Sequence, residues 1–237
     1  ETVERPRHSL EVRLDPEARS IAWTDRIRFP AALVQAGRGR FVLVLDQQLA
    51  FEPVGQGRFG LRRMAVTPTT QGQQRWELEF PPPFDREKSA AFTGRGSFTA
   101  APKLAGRDHA RGFKTSRGTI GPEGVWLSGA SRWLPRLAGD PLFTFRLEVE
   151  GPPDWAVISQ GRRLSTQVAG GRRTTIYATK KPQEEIYLVG GPLVEQSGRA
   201  GEVATRVYLH RRDPELAGRY LAATARYLKM YSEMIGP

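Results

Sequence analysis

Histidine spacing is the most direct sign of a catalytic metal site, and this chain has three histidines, His8, His109 and His210. They lie in the contexts RHSL, DHAR and LHRR, so no two are four residues apart. An HExxH motif would place two zinc ligands on one helix face with a glutamate base between them, and that motif is absent. We predict no metal ligands and no peptide hydrolysis in the chain itself, and interpret all three as surface or cap histidines.

Other catalytic groups are no better placed. The chain has no cysteine, which excludes disulfides, thiolate metal sites and cysteine nucleophiles. Serines are plentiful, but the GxSxG motif is absent. Glu184 and Glu185 precede an apolar segment, and their simplest interpretation is the solvated start of a strand. We therefore predict no catalytic residue and no cofactor in this chain.

Gly55, Gly57 and Gly60 spell GxGxxG, the pattern of a dinucleotide-binding loop. Such a loop needs a preceding strand, a helix that begins at the third glycine, and an acidic residue about 20 positions later. The sequence that follows, LRRMAVTPTTQGQQ, has no helical periodicity. We interpret the glycines as a hairpin turn.

The chain is basic, with a net charge of +11, and thirty of its 36 basic residues are arginine. The charge is scattered, whereas nucleic-acid-binding proteins gather it into a stripe, so no nucleic acid is expected as a partner. The basic loop 95–117 leaves two alternatives. It is either a solvated excursion between sheets, or the binding surface of a stand-alone β-sandwich module that holds an acidic protein partner or nucleic acid.

Short alternating segments dominate the chain and predict strands. Apolar residues alternate with polar ones from Leu10 to Leu14 and again from Ile21 to Phe29, around the turn Asp15-Pro16-Glu17, which predicts a hairpin with one buried face. Further short segments with turn residues between them predict a mainly β fold, an antiparallel curved sheet or sandwich. No apolar run reaches the roughly 18 residues that span a membrane.

The C-terminal segment predicts a helix from Asp213 onward. Asp213 is a suitable N-cap, Pro214 fits the first turn, and Gly236-Pro237 ends the helix. Tyrosine, leucine and methionine recur at helical spacing between these ends. This apolar stripe either packs on the sheet or on another domain, or forms a partner-binding or membrane face.

The segment Gly118 to Gly139 is too irregular for a strand and too apolar for a solvated loop, so we predict that it is pinned against the core. The segment contains Trp133-Leu134-Pro135, and after it come a strand with Phe143 and Phe145 and then Trp155, Val157, Ser159, Gln160 and Gly161. This series resembles the amino-terminal β-domain of the gluzincin zinc aminopeptidases, the alanyl-aminopeptidase-like family. The family pattern runs Trp-Tyr-Pro, a Phe-containing strand, then Trp-x-x-Val-Ser-Asn-Gly.

The resemblance implies a saddle-shaped β-domain over residues 1–212. Residues 213–237 would form the first helix of a catalytic domain, because Tyr227, Leu228, Tyr231 and Gly236-Pro237 match that region. It implies that the partner is the catalytic domain of the same polypeptide, where zinc and the peptide substrate are expected. The start at Glu1 without Met predicts a trimmed product, and an exported or membrane-attached bacterial parent is a hypothesis.

The resemblance also implies a loop that faces the substrate. In the family, the matching loop reaches the active-site cleft, and a Gln or Glu there holds the amino terminus of the substrate. In this sequence the matching segment runs from about Glu123 to Ala130, and it departs from the usual Thr-Gln-x-Glu-Ala motif of the family. Glu123 would pair with an ammonium group and Trp126 would supply a pocket wall, beside Ser128 and Ala130. The alternative is that Trp126 and Trp133 are core anchors.

Overall fold

The computed structural model of the chain describes residues 4–55, 58–67, 72–99, 118–139 and 142–236. Its helices are α1 (Ala31–Ala36), a short 3-10 helix (Gly129–Ser131) and α2 (Pro214–Ile235). Its strands are β1 (Arg7–Asp15), β2 (Ser20–Phe29), β3 (Arg40–Asp46), β4 (Ala50–Pro53), β5 (Gly60–Arg63), β6 (Gln73–Glu79), β7 (Lys88–Ser97), β8 (Thr119–Gly121), β9 (Gly124–Leu127), β10 (Arg136–Leu137), β11 (Thr144–Gly151), β12 (Ala156–Ile158), β13 (Arg162–Ala169), β14 (Arg172–Ala178), β15 (Leu188–Gly191), β16 (Val194–Ala200) and β17 (Val203–Leu209). The prediction of a mainly β fold that ends in a long helix is confirmed.

Seven strands form the largest sheet, in the order β13-β14-β11-β1-β2-β7-β4. Neighbouring strands in it are antiparallel except β1 and β11, which run parallel with Val12 opposite Val149. A parallel pair requires a long crossover connection, which the many residues between β1 and β11 supply. Alternation within each strand does not reveal this pairing, so the sequence predicts only an antiparallel sheet.

The large sheet has one buried face, and two four-stranded sheets cover it. In β1, the residues that alternate with buried Leu10, Val12 and Leu14 are exposed. The sheet β10-β3-β6-β5 packs on this face through aromatic rings, with Phe29 and Phe41 centroids 4.8 Å apart. The sheet β12-β15-β9-β8 joins it where the Tyr177 hydroxyl donates to the Val157 carbonyl at 2.9 Å. The result is a layered core of the sandwich type.

The glycines of the GxGxxG pattern connect two different sheets. The strands on either side of them, β4 and β5, pair with β7 and β6 respectively and not with each other. The interpretation as a hairpin turn is therefore wrong. The segment carries the chain from the large sheet to the sheet that covers it, and residues 56–57 lie outside the described residues.

Helix α2 begins where the sequence predicts. The Asp213 carboxylate accepts a hydrogen bond from the Leu216 N–H at 2.9 Å. One face of the helix packs on the β16–β17 hairpin, where Leu221 lies over Gly198 and Ala217 is buried. A second face is 40–70% exposed and carries five large residues, which we call the apolar stripe: Tyr220, Tyr227, Met230, Tyr231 and Met234. None of the described helices has the length and apolarity needed to cross a membrane.

Candidate functional site

The β8–β9 hairpin carries the residues predicted to face a substrate. Gly121 pairs with Gly124, which leaves Pro122 and Glu123 alone at the turn. Strand β9 pairs on its other side with β15, where Trp126 lies opposite Val189. Val125 and Leu127 are buried, so Trp126 between them lies on the outer face, with 37% of its surface exposed.

The four predicted site residues lie along one short stretch. Glu123 is exposed at the hairpin turn, Trp126 is exposed on β9, Ser128 is half-buried after the strand, and Ala130 is exposed in the 3-10 helix. The structure therefore leaves Glu123, Trp126 and Ala130 open to a ligand. Contact with a substrate stays a prediction for all four residues.

The two tryptophans of the stretch have different environments. Trp133 is buried, and its indole Nε1 donates to the Ile186 carbonyl at 3.2 Å. A buried indole normally finds such a partner, so the core-anchor interpretation is confirmed for Trp133. It is wrong for Trp126, whose ring is not enclosed by the core.

Glu185 fixes the 3-10 helix that follows the β8–β9 hairpin. The Glu185 carboxylate accepts a hydrogen bond from the Gly129 N–H, and its other oxygen accepts one from the Tyr187 hydroxyl. This second bond, followed by burial, raises the pKa of Tyr187. The interpretation of Glu185 as a solvated strand start is wrong, because the side chain is half-buried and fixes the backbone of the 3-10 helix.

Two residues of the motif that resembles the family, Ser159 and Gln160, bind the backbone of residues 185–187. The Gln160 amide donates to the Glu185 carbonyl at 2.9 Å and accepts from the Tyr187 N–H at 2.8 Å. The Ser159 hydroxyl donates to the Tyr187 carbonyl at 2.6 Å. The two stretches that resemble the family, residues 118–139 and 155–161, are therefore connected physically through residues 185–187.

His8 is buried, contrary to its interpretation as a surface or cap residue. Its Nδ1 lies 2.7 Å from Asp25 Oδ2, and its ring lies 4.7 Å from the ring of Phe143. The alternation of β1 contains a signal for this position, because His8 is in phase with the buried residues from Leu10 to Leu14. Asp25 is likewise in phase with buried Trp23 and Ile27 of β2.

An ion-pair network fixes the β16–β17 hairpin, and with it α2, against the large sheet. Arg163 of β13 binds both oxygens of Glu195 of β16, with Nη2 at 2.8 Å from Oε1, and Arg206 lies 3.3 Å from the same carboxylate. The bond from Arg163 lowers the pKa of Glu195. Burial, reinforced by the negative charge of Glu195, raises the pKa of Tyr208 to about 12.

The described residues contain no group of three histidine, cysteine, aspartate or glutamate side chains that could hold a metal ion. His109 and most of the basic loop 95–117 lie outside the described residues, so the loop's proposed role is untested. A groove of about 530 Å³ lies on the uncovered face of the large sheet, lined by residues such as Glu11, Thr24 and Glu148. None of its lining residues belongs to the β8–β9 hairpin, so we do not assign the groove to the candidate site.

No protein-family model and no curated protein matches the sequence. Solved structures do match. A variant of the M1 zinc metallopeptidase of Deinococcus radiodurans bound to a Tyr-Ser-Ala substrate matches with a TM-score of 0.61 and 15% sequence identity. The match covers 99% of this chain and 54% of that chain. The chain has the fold of part of an M1 zinc metallopeptidase.

Two further structures agree with the M1 fold. The Deinococcus radiodurans enzyme in another structure gives a TM-score of 0.59 at 16% identity, again over 99% of this chain and 54% of that one. An aminopeptidase N family protein of Idiomarina loihiensis gives 0.58 at 12% identity, over 95% of this chain and 36% of that one. The chain thus spans about half or less of the length of these M1 proteins. The resemblance drawn from sequence is confirmed as a likeness of fold.

Proposed function

We propose that this chain is the non-catalytic amino-terminal domain of a zinc metallo-aminopeptidase, and that it docks on the catalytic domain and closes one side of the substrate cleft. One observation carries the proposal: the M1 fold extends over 99% of this chain but only 54% of the matched enzyme. The HExxH motif is absent from the sequence, so zinc and the hydrolytic residues belong to the remaining part of the enzyme.

The apolar stripe on α2 is the proposed docking surface. Tyr220, Tyr227 and Met234 are 53%, 56% and 70% exposed on one helix, and clustered apolar exposure of this kind marks interaction sites. Another face of the helix packs on the β16–β17 hairpin, which the Arg163–Glu195 pair ties to the large sheet. The stripe is therefore held in a fixed orientation, as a docking surface requires. With the domain boundary between residues 212 and 213, α2 would be the first helix of the catalytic domain, and its stripe would pack on the rest of that domain.

The β8–β9 hairpin is the proposed wall of the cleft. Glu123 would bind the ammonium group of a peptide by charge, and Trp126 would cover the first side chain with its exposed ring face. Ser128 and Ala130 would extend the same surface. Support comes from the anchoring beneath these residues, because Glu185 and Trp133 fix the backbone while the four site side chains stay at least partly accessible.

An aminopeptidase assay tests the proposal. Hydrolysis of aminoacyl anilides would be measured in the presence of zinc for this 237-residue chain and for the full-length product of its gene. We expect activity and stoichiometric zinc in the full-length protein and neither in the shorter chain. Activity in the shorter chain would show that the catalytic residues lie within it, and absence of activity from both would remove the peptidase assignment.

A further inference from the structure

One edge of the seven-stranded sheet is open. Strand β13 is the terminal strand and pairs only with β14 among the strands of the described residues. Seven of its eight residues are exposed, the exception being Arg163. In an antiparallel pair, alternate residues direct their N–H and C=O groups away from the partner strand. The edge therefore presents unpaired backbone groups along most of its length.

Exposed apolar side chains accompany this edge. Leu164 is 46% exposed at a register shift between Arg163 and Ser165, and Val168 is 55% exposed four residues later. The opposite edge of the sheet, β4, has four residues against eight in β13. Of the two edges, β13 thus offers the longer surface for an added strand.

Positive charge surrounds the start of the same edge. Arg162, Lys180 and Lys181 line a cavity of about 460 Å³ together with Leu164, and none of the residues that line it is acidic. All three cations are exposed, and none forms an ion pair with another described residue. Arg163, in contrast, is neutralised by Glu195. The cavity therefore combines three uncompensated cations with an apolar wall.

We propose that β13 binds an extended acidic peptide segment of a partner protein as an eighth strand of the sheet. The backbone of the segment would pair with β13, its carboxylates would face Arg162, Lys180 and Lys181, and its apolar side chains would pack on Leu164. Charge complementarity selects this occupant. A second copy of the chain would bring the same cations together and add to a net charge of +11, so self-pairing through this edge is opposed.

Binding of a labelled peptide to the whole chain tests the proposal. The probe is an eight-residue peptide of alternating Glu and Val, matched to the eight residues of β13 and followed by fluorescence anisotropy at low salt. Its first control has the same sequence with alternate amide nitrogens methylated, which keeps the charge but blocks strand addition. A second control replaces Glu with Lys. We expect the methylated peptide to bind about tenfold more weakly and the Lys peptide to show no binding.

A pair of charge-matched variants locates the site. The first combines Arg162→Glu, Lys180→Glu and Lys181→Glu, and the second combines Arg38→Glu, Arg58→Glu and Arg63→Glu, at exposed positions after α1 and around β5, which pairs with β6 and not with the large sheet. We expect the first to lose about tenfold in affinity and the second to change less than about threefold. If both triple variants lost the same affinity, or if the methylated peptide bound as tightly as the unmethylated one, binding would depend only on the net charge of the chain. Either result would overturn the proposal.

The same peptides and triple variants distinguish two other possible occupants of the β13 edge, a second copy of the chain and a nucleic acid. A peptide-free dimer in sedimentation that the first triple variant abolishes would assign the edge to a second copy and contradict the proposal. Displacement of the peptide by single-stranded polyuridylate with equal potency in both triple variants would indicate general polyanion binding, which also contradicts it. Hydrogen-exchange protection confined to β13 amides on addition of the Glu peptide is the supporting result.

Discussion

The carboxylate of Glu185 accepts a hydrogen bond from the backbone N–H of Gly129, across 56 residues of sequence. Gly129 begins the 3-10 helix that follows the β8–β9 hairpin, and Glu185 lies in the segment held by Ser159 and Gln160. Through this bond, the segment held by Ser159 and Gln160 fixes the backbone that follows the β8–β9 hairpin. The exposed residues from Glu123 to Ala130 are thereby carried on an ordered support.

We predict that Gly129→Ala destabilises the chain by about 1–3 kcal/mol, because a Cβ there would lie 2.8 Å from the Glu185 Cβ and displace the carboxylate. The measurement is urea unfolding followed by tryptophan fluorescence. Gly218→Ala is the matched control, since its Cβ would meet no atom within 4 Å on α2, and it should gain up to about 1 kcal/mol. Identical free energies of unfolding for the two variants would contradict the role of Glu185.

We predict that Asp25→Leu lowers the free energy of unfolding by about 3 kcal/mol, because it leaves His8 buried without its partner. The double variant His8→Leu/Asp25→Leu should recover much of this loss, since both polar groups are then removed. Chemical denaturation of the three proteins checks this. For comparison, Glu79→Leu breaks the exposed Arg40–Glu79 pair and should cost less than about 1 kcal/mol. Equal costs at the two sites would argue against a buried, structural His8–Asp25 pair.

The patterns that sequence alone predicted correctly are local. The alternation of apolar and polar residues correctly predicted the buried faces of β1 and β2, and Asp213-Pro214 correctly predicted the start of α2. These features depend on residues two to four positions apart, where periodicity and capping chemistry act directly. The M1 likeness rested on motif residues such as Trp133 and Trp155, which the structure places in the core.

The features that sequence missed are contacts between distant residues. The parallel pairing of β1 with β11, the His8–Asp25 pair and the Glu185–Gly129 bond each join segments that no local pattern relates. His8 and Asp25 were nevertheless detectable, because both occupy buried phases of alternating strands, and a buried polar group requires a partner. For Glu185, the sequence offers no such phase, since it lies before β15 in an irregular segment.

We predict that the stability of the chain falls between about pH 10 and pH 12 in part through Tyr208. Its pKa in the folded chain is about 12, above the ordinary value of 10.0, so the unfolded chain loses this proton first. The stabilisation is complete below pH 10 and is lost as the pH rises through 12. Urea unfolding from pH 8 to pH 12 should give a shallower decline for Tyr208→Phe than for the unmodified chain. Parallel curves above pH 10 would contradict this assignment.

We predict that Glu123→Gln and Trp126→Ala each raise the KM of the full-length enzyme for aminoacyl anilides by about tenfold, because they remove substrate contacts. Glu123 is exposed at the turn, so its substitution should change the free energy of unfolding by less than about 0.5 kcal/mol. Trp126 is only 37% exposed, so loss of its partly buried ring should cost about 1–3 kcal/mol. Steady-state kinetics and denaturation of the same preparations check the two parts. Glu202→Gln, at an exposed turn distant in sequence, is the control. An unchanged KM in both variants would contradict the proposal that the β8–β9 hairpin lines the substrate cleft.

The most direct test of domain docking is oxidative footprinting of α2 in this chain and in the full-length protein. The side chains of Tyr220, Tyr227 and Met234 are exposed here and should be oxidised readily. In the full-length protein we predict at least about fivefold slower oxidation of these three residues, with Tyr187 at 39% exposure as an internal reference. Oxidation of the stripe at equal rates in both proteins would contradict docking through α2.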